Sequence, residues 1–140
     1  MKELRVRLLD SRATLPTRAN PGDAGLDLYA LESFLVEPGH GKKVKTGVAL
    51  EVEAGWVGMV ADRSSLALRG LKTLGGIIDA GYRGEIHVVL WNLSQEPIAL
   101  NGGDRIAQLL LLPVSLASVK AVTQLSDSVR GTGGFGSSGA

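Results

Sequence analysis

The residues best suited to chemistry in this 140-residue chain lie in GGIIDAGYRGE, residues 75–85. Asp79 follows two β-branched residues and precedes a turn. That places a carboxylate at the tip of a hairpin, with the Tyr82 ring three residues on. A carboxylate there can orient a water as general base, and an aromatic ring beside it can pack against a flat ligand. The plainer reading, an Asx-turn former and a half-buried strand anchor, fits the local pattern at least as well.

DRSSLALRG, residues 62–70, offers a complement. The Arg63 guanidinium, the Ser64 and Ser65 hydroxyls and the amides of a helix start can cradle phosphate. The same segment reads as an ordinary short helix with Ser64 as its N-cap and Gly70 as its left-handed stop. Glycine makes up 19 of the 140 residues, about twice average usage. Several glycines flank charges, in AGLD, LRG, GGDR and RGTGGFG. Glycine permits unusual turns and lets backbone N–H groups approach a ligand, but each cluster alone is more often a plain turn.

Other chemistries are excluded by what the chain lacks. It has no cysteine and only His40 and His87, so disulfides, thiolate zinc sites, cysteine nucleophiles and two-histidine metal cages fall away. Any metal must be held by oxygen. The net charge of +1 is spread along the chain, and Lys42, Lys43 and Lys45 form the only close basic cluster. That reads as a solvated strand face and not as the footprint of a nucleic-acid binder. No apolar stretch approaches a membrane span, and MKELRVRLLDSR lacks the features of a secretion signal, so the expected location is cytoplasmic.

The elements that must position these residues are short and β-like. ELRVRLL, GLDLYAL and KKVKTGVALEVE alternate at period two, and GEIHVVLWNL mixes alternation with an apolar run. Turn signals separate them at NPGD, EPGHG, EAG, DAGYRG, SQEP and NGGD. RIAQLLLLPV reads as a strand buried on both faces, and RSSLALRG as the one short helix. At 44% hydrophobic and 21% charged residues, the chain is one soluble all-β domain, a sandwich or barrel. The domain is expected to span residues 1–125. Residues 126–140 form a C-terminal arm, because after Leu125 only Val129 could bury aliphatic surface. The arm is expected to be mobile without a ligand.

In order, AGLDLYA, DRSSLALRG, GGIIDAGYRGEIHV, GDRIAQLLL and RGTGGFGSSG resemble the five motifs of the trimeric dUTPases, across residues 24–139. The resemblance implies a jelly-roll-like β sandwich forming a homotrimer with shared active sites. It implies Mg²⁺-assisted hydrolysis of dUTP to dUMP and pyrophosphate, which limits uracil incorporation into DNA and supplies dUMP for dTMP synthesis. It makes Asp79 the base for the water that attacks the α-phosphorus, and Tyr82 the ring that packs on deoxyribose. Asp27 would act on magnesium through water. Arg63, Ser64, Ser65 and Gln108 would meet the phosphates, and the hairpin backbone around Gly76 and Ile78 would read the base. In the arm, Arg130 would reach the γ-phosphate and Phe135 would cover uracil, flanked by Gly136 and Ser137. Two departures stand out. Many members carry an Asn before the third motif where this chain has Thr73 and Leu74, and many have RSG where it has RSS.

The rival reading is a dCTP deaminase, alone or bifunctional, which shares the fold, the trimer and an SSLA segment. That family places a glutamate on the strand after its third-motif Asp. The matching position here is Val89, which cannot shuttle protons, and Glu85 reads as a solvated or salt-bridged strand-start residue. A non-catalytic nucleotide-binding regulator on the same architecture is the other alternative.

Overall fold

A computed structural model describes residues 3–134. Ten strands and one short helix follow the chain in this order: β1 (Arg5–Leu8), β2 (Leu26–Tyr29), β3 (Phe34–Val36), β4 (Gly41–Glu51), β5 (Trp56–Ala61), α1 (Ser64–Leu68), β6 (Leu71–Leu74), β7 (Ile77–Ile78), β8 (Glu85–Asn92), β9 (Ile98–Leu100) and β10 (Arg105–Pro113). They build two four-stranded sheets, β1-β4-β8-β6 and β2-β10-β5-β7, with β3 and β9 as a separate pair. Every pairing is antiparallel. The expected all-β, jelly-roll-like architecture is present as a sandwich. Among the described residues neither sheet closes into a barrel.

Alternation decides which faces meet. On β8, Ile86, Val88, Leu90 and Asn92 are buried while Glu85, His87, Val89 and Trp91 face the other way. On β2, Leu26 and Leu28 turn inward and leave Asp27 on the outer face. The inward residues of both sheets join one cluster with Leu66 of α1. β4 keeps the alternation until Thr46. There Gly47 takes φ 70° and the register against β8 shifts between Lys45 and Ala49, a bulge that bends the strand. A Cβ at Gly47 would lie 2.7 Å from the Ala13 Cβ and 2.9 Å from Leu31 Cδ1, so only glycine fits the bend.

Two local expectations change. Ser64 is the first residue of α1 and not its cap. Arg63 holds the cap position in extended conformation with no side-chain capping bond, which leaves both serine hydroxyls exposed. Gly70, at φ 93°, does end the helix. β10 is a strand but is not buried on both faces within one chain. Ile106, Ala107 and Leu109 are buried, whereas Leu110 and Leu111 are half-buried and Leu112 is exposed. The last regular strand ends at Pro113. From Ser115 to Thr132 the chain runs exposed, carrying Leu116, Val119 and Leu125 almost entirely in solvent.

Two polar residues lie fully inside among the described residues, Thr46 and Asn92. Asn92 donates through Nδ2 to the Val36 carbonyl (2.9 Å) and the Glu96 carbonyl (2.8 Å). Its Oδ1 accepts from the Ser94 N–H (2.9 Å) and hydroxyl (2.7 Å). It therefore ties the end of β8 to β3 and to the turn before β9. Asn92→Leu keeps the branching at Cγ but leaves the Val36 carbonyl and the part-buried turn groups without their partner, so it should cost about 2–4 kcal/mol of stability in chemical unfolding. A loss below about 0.5 kcal/mol would show that those loop groups recover their bonds from water.

Candidate active site

Antiparallel register gathers the first group of site residues. β10 pairs with β2 on one side and β5 on the other, so Gln108 stands opposite Asp27 and also opposite Ala61. Asp27 and Gln108 share the outer face, and the chain leaving Ala61 carries Asp62, Arg63, Ser64 and Ser65 to the same place. The result is a depression of about 460 Å³ lined by Asp23, Gly25, Asp27, Arg63, Ser64, Ser65 and Gln108, among others.

Its charge is balanced by close pairs. Asp27 Oδ1 lies 3.1 Å from Arg63 Nε and its Oδ2 3.3 Å from Arg105 NH1, with the Asp27 side chain only 12% exposed. Arg63 also donates to the Arg105 carbonyl at 3.2 Å. Gln108 Nε2 donates to the Asp62 carbonyl at 2.8 Å. A Cβ on Gly25 would collide with the Gln108 side-chain amide oxygen, so glycine leaves the room that this amide occupies. Two guanidiniums around one carboxylate, with two free hydroxyls beside them, suit a polyanion.

The second group forms where β7 meets β8. Val60, Gly76, Ile77, Ile78, Asp79, Tyr82, Glu85, Ile86 and His87 line a smaller depression of about 210 Å³. The Tyr82 N–H donates to the Asp79 carbonyl at 3.0 Å, closing the turn expected from the sequence. The Tyr82 hydroxyl donates to the Glu85 carbonyl at 2.9 Å, which folds the ring over Gly84. A Cβ at Gly84 would sit 2.5 Å from that hydroxyl. Gly76 takes φ 98°, and its carbonyl accepts from the Val60 N–H at 2.8 Å. Asp79 is exposed, and no hydrogen bond to its carboxylate occurs among the described residues. Its carboxylate is open to a water.

Glu85 is half-buried and its carboxylate is taken up by neighbouring groups. Its Oε1 accepts from the Gly47 N–H at 2.9 Å, and its Oε2 lies 3.4 Å from His87 Nε2. The two depressions have no lining residue in common. Arg130 lines neither of them and donates from Nε to the Gly133 carbonyl at 2.8 Å within its own turn. Phe135, Gly136 and Ser137 lie outside the described residues.

Sequence reading missed Arg105 and Asp62. Arg105 sits inside a recognised motif, but its partner Asp27 is 78 residues away and reached only through the β2–β10 register. Asp62 hydrogen-bonds to Lys72 and Thr73. Burial would raise its carboxyl, but the hydrogen bonds from Lys72 and Thr73 outweigh that and hold it below the usual carboxylate range. The stability this contributes is present above the ordinary carboxylate pKa and is lost as pH falls through the lowered one. No group of three or more His, Cys, Asp or Glu arranged for a metal occurs among the described residues. Asp23 and Asp27 on one wall fit a hard cation that arrives with its own oxygen ligands.

Comparison with known proteins bears on the whole chain. A family model described as dUTPase matches residues 11–139. The deoxyuridine 5'-triphosphate nucleotidohydrolase of Corynebacterium glutamicum is 47% identical over 140 residues, covering 97% of this chain and 94% of the relative. A dUTPase variant of Staphylococcus bacteriophage 80alpha, solved with dUpNHpp, superposes with a TM-score of 0.94 at 30% identity and full coverage of both chains. A variant dUTPase from phage phi11 of S. aureus, described with a structural Mg(II) ion, superposes at 0.82 and 29% identity, covering 87% and 97% of the two chains.

Gly25→Ala must push the Gln108 amide off the Asp62 carbonyl. It is expected to weaken binding of inorganic tripolyphosphate roughly tenfold in titration calorimetry, the loss of one charge-assisted contact. Unchanged binding would remove Gln108 from the anion site.

Proposed function

The chain belongs to the dUTPase family, and on that footing we propose how its own residues hydrolyse dUTP to dUMP and pyrophosphate. The observation that carries the reading is the pair of complementary depressions. One presents arginines, hydroxyls and an amide around a carboxylate, the chemistry of a triphosphate. The other presents an open carboxylate beside a fixed aromatic ring and a glycine-lined hairpin, the chemistry of a nucleoside.

Arg63, Ser64, Ser65 and Gln108 hold the phosphate chain. Tyr82, held by its bond to the Glu85 carbonyl, packs on deoxyribose and leaves no room for a 2′-hydroxyl. The hairpin backbone from Gly76 to Ile78 reads the base, a role backbone groups can fill where the side chains are Thr73 and Leu74. Asp79 takes a proton from water as the new O–P bond forms at the α-phosphorus. The bond from that phosphorus to the bridging oxygen breaks, and pyrophosphate leaves with the electron pair. Asp27 is the residue that would hold Mg²⁺ through water, and the ion would supply charge neutralisation along the chain of phosphates. Positioning and charge thus replace a protein nucleophile, which accords with a chain that has no cysteine.

We read the assembly as a homotrimer, as the family resemblance implies, and two features of the single chain support sharing of sites between copies. The two depressions are separate on one chain, and Leu112, Leu116, Val119 and Leu125 stand in solvent without a partner. Both facts favour sites assembled between copies, with one chain's segment after Pro113 lying along its neighbour. Residues 126–140 then act as an arm that closes on the nucleotide, Arg130 meeting the γ-phosphate and Phe135 the uracil. A cytoplasmic location accords with a substrate drawn from the free deoxynucleotide pool. Deamination of dCTP is disfavoured because Val89 offers no proton carrier and Glu85 is committed to Gly47 and His87.

Incubation with Mg²⁺ and each of dUTP, dCTP, dTTP and UTP should release pyrophosphate from dUTP alone. Ammonia from dCTP would promote the deaminase, and no turnover of dUTP would overturn the reading. Asp79→Asn should lower kcat by roughly 10²–10⁴ while leaving affinity for a non-hydrolysable dUTP analogue near that of the wild type. Near-normal kcat would remove Asp79 as the base. Deleting residues 129–140 should leave the oligomer's mass unchanged and depress turnover. Loss of the oligomer would make that segment structural instead.

A further inference from the structure

Where β5 ends, the chain leaves the sheet to present Arg63, Ser64 and Ser65, and it returns as β6. Below the excursion, β5 runs antiparallel to β7, the strand that follows β6. Gly58 pairs with Ile78 and Met59 with Ile77, and the Val60 N–H reaches the Gly76 carbonyl. One step further the backbone pairing stops and a side chain takes over. Asp62 Oδ1 accepts from the Thr73 N–H at 2.7 Å and the Thr73 hydroxyl at 2.6 Å, and its Oδ2 accepts from Lys72 Nζ at 2.7 Å.

The location gives this cluster reach. β5 belongs to one sheet and β6 to the other, as an edge strand whose opposite side is paired to β8. Asp62 therefore caps an otherwise open edge and joins the two sheets at the base of the phosphate-facing segment. Its carbonyl receives the Gln108 amide, and the next residue is Arg63. Thr73 is buried, so its hydroxyl and N–H have little access to water as an alternative partner.

We infer that Asp62 is a positioning residue: it staples the base of the 63–71 excursion to β6, so that Arg63 and Gln108 are aimed at the phosphates at a fixed distance from the 75–79 hairpin. This rests on the proposed reading of the site as one that binds a nucleoside triphosphate. Three charge-assisted or buried bonds hold the staple, and losing them unpins the Asp62 end of the excursion while Leu66 stays anchored in the core. Asp62 touches no reacting atom, and it acts through the residues on either side of it.

Asp62→Ala is expected to reduce kcat/KM for dUTP roughly a hundredfold, the scale set by an ångström-sized misplacement of binding groups. Tripolyphosphate binding should weaken in parallel. Binding of dUMP, which lacks the β- and γ-phosphates, should stay within about twofold, a contrast that general loosening of the fold would not produce. Asp62→Asn keeps an oxygen for Thr73 but sets an amide N–H₂ against the Lys72 ammonium. Adding Lys72→Met removes that conflict, so the double variant should recover most of what Asp62→Asn alone loses. Equal losses for dUMP and tripolyphosphate would overturn the inference in favour of a purely structural bond, and so would unchanged kcat/KM in Asp62→Ala. If the wild type fails to turn over dUTP while Asp62→Ala still weakens tripolyphosphate binding selectively, the activity reading falls and the positioning role stands.

Discussion

The interaction on which the site depends is the pairing of β10 between β2 and β5. A central antiparallel strand has its register set twice, and a slip of one residue would turn Gln108 into the core and Ala107 or Leu109 out of it. Burial of Ala107 and Leu109, the neighbours of Gln108 on either side, therefore sets the outward row of Asp27, Gln108 and Ala61. Hydrophobic packing on one face positions polar chemistry on the other, and the site needs no separate scaffold.

Electrostatics refine what register has placed. Asp27 is mostly shielded from water and would be costly as a lone charge, but Arg63 and Arg105 approach it from two sides. The pairs hold both guanidiniums beside Asp27. Guanidiniums aimed in advance suit a polyanion, because little reorganisation is then needed to bind one. In the second depression the same economy falls to glycine. Gly76 and Gly84 let backbone and ring approach to distances that any Cβ would prevent, which is how the Tyr82 ring comes to rest across the turn.

The segment after Pro113 shows the limit of a single chain. Its apolar side chains are spaced along an exposed path, and the outer face of β10 leaves Leu112 in solvent. One copy of the sandwich cannot cover them, whereas a symmetric assembly can.

Much was legible in the sequence. Period-two alternation located β1, β2, β4 and β8, turn residues separated them, and the five ordered motifs named the family and contain most of the residues that line the two depressions. These signals are local, carried by residues within about ten positions of each other. Local pattern did not give β3, β5, β6, β7 or β9, whose pairing partners lie elsewhere in the chain and supply their hydrogen bonds. It misassigned the cap of α1, where Arg63 and not Ser64 stands at the boundary. Nor could it pair Arg105 with Asp27 or Asp62 with Thr73, because those contacts arise only when distant strands settle into register. Residue types and order determined which chemistry this protein carries. Which groups face one another was decided by the tertiary fold, since register between strands far apart in the chain is set by the shared core.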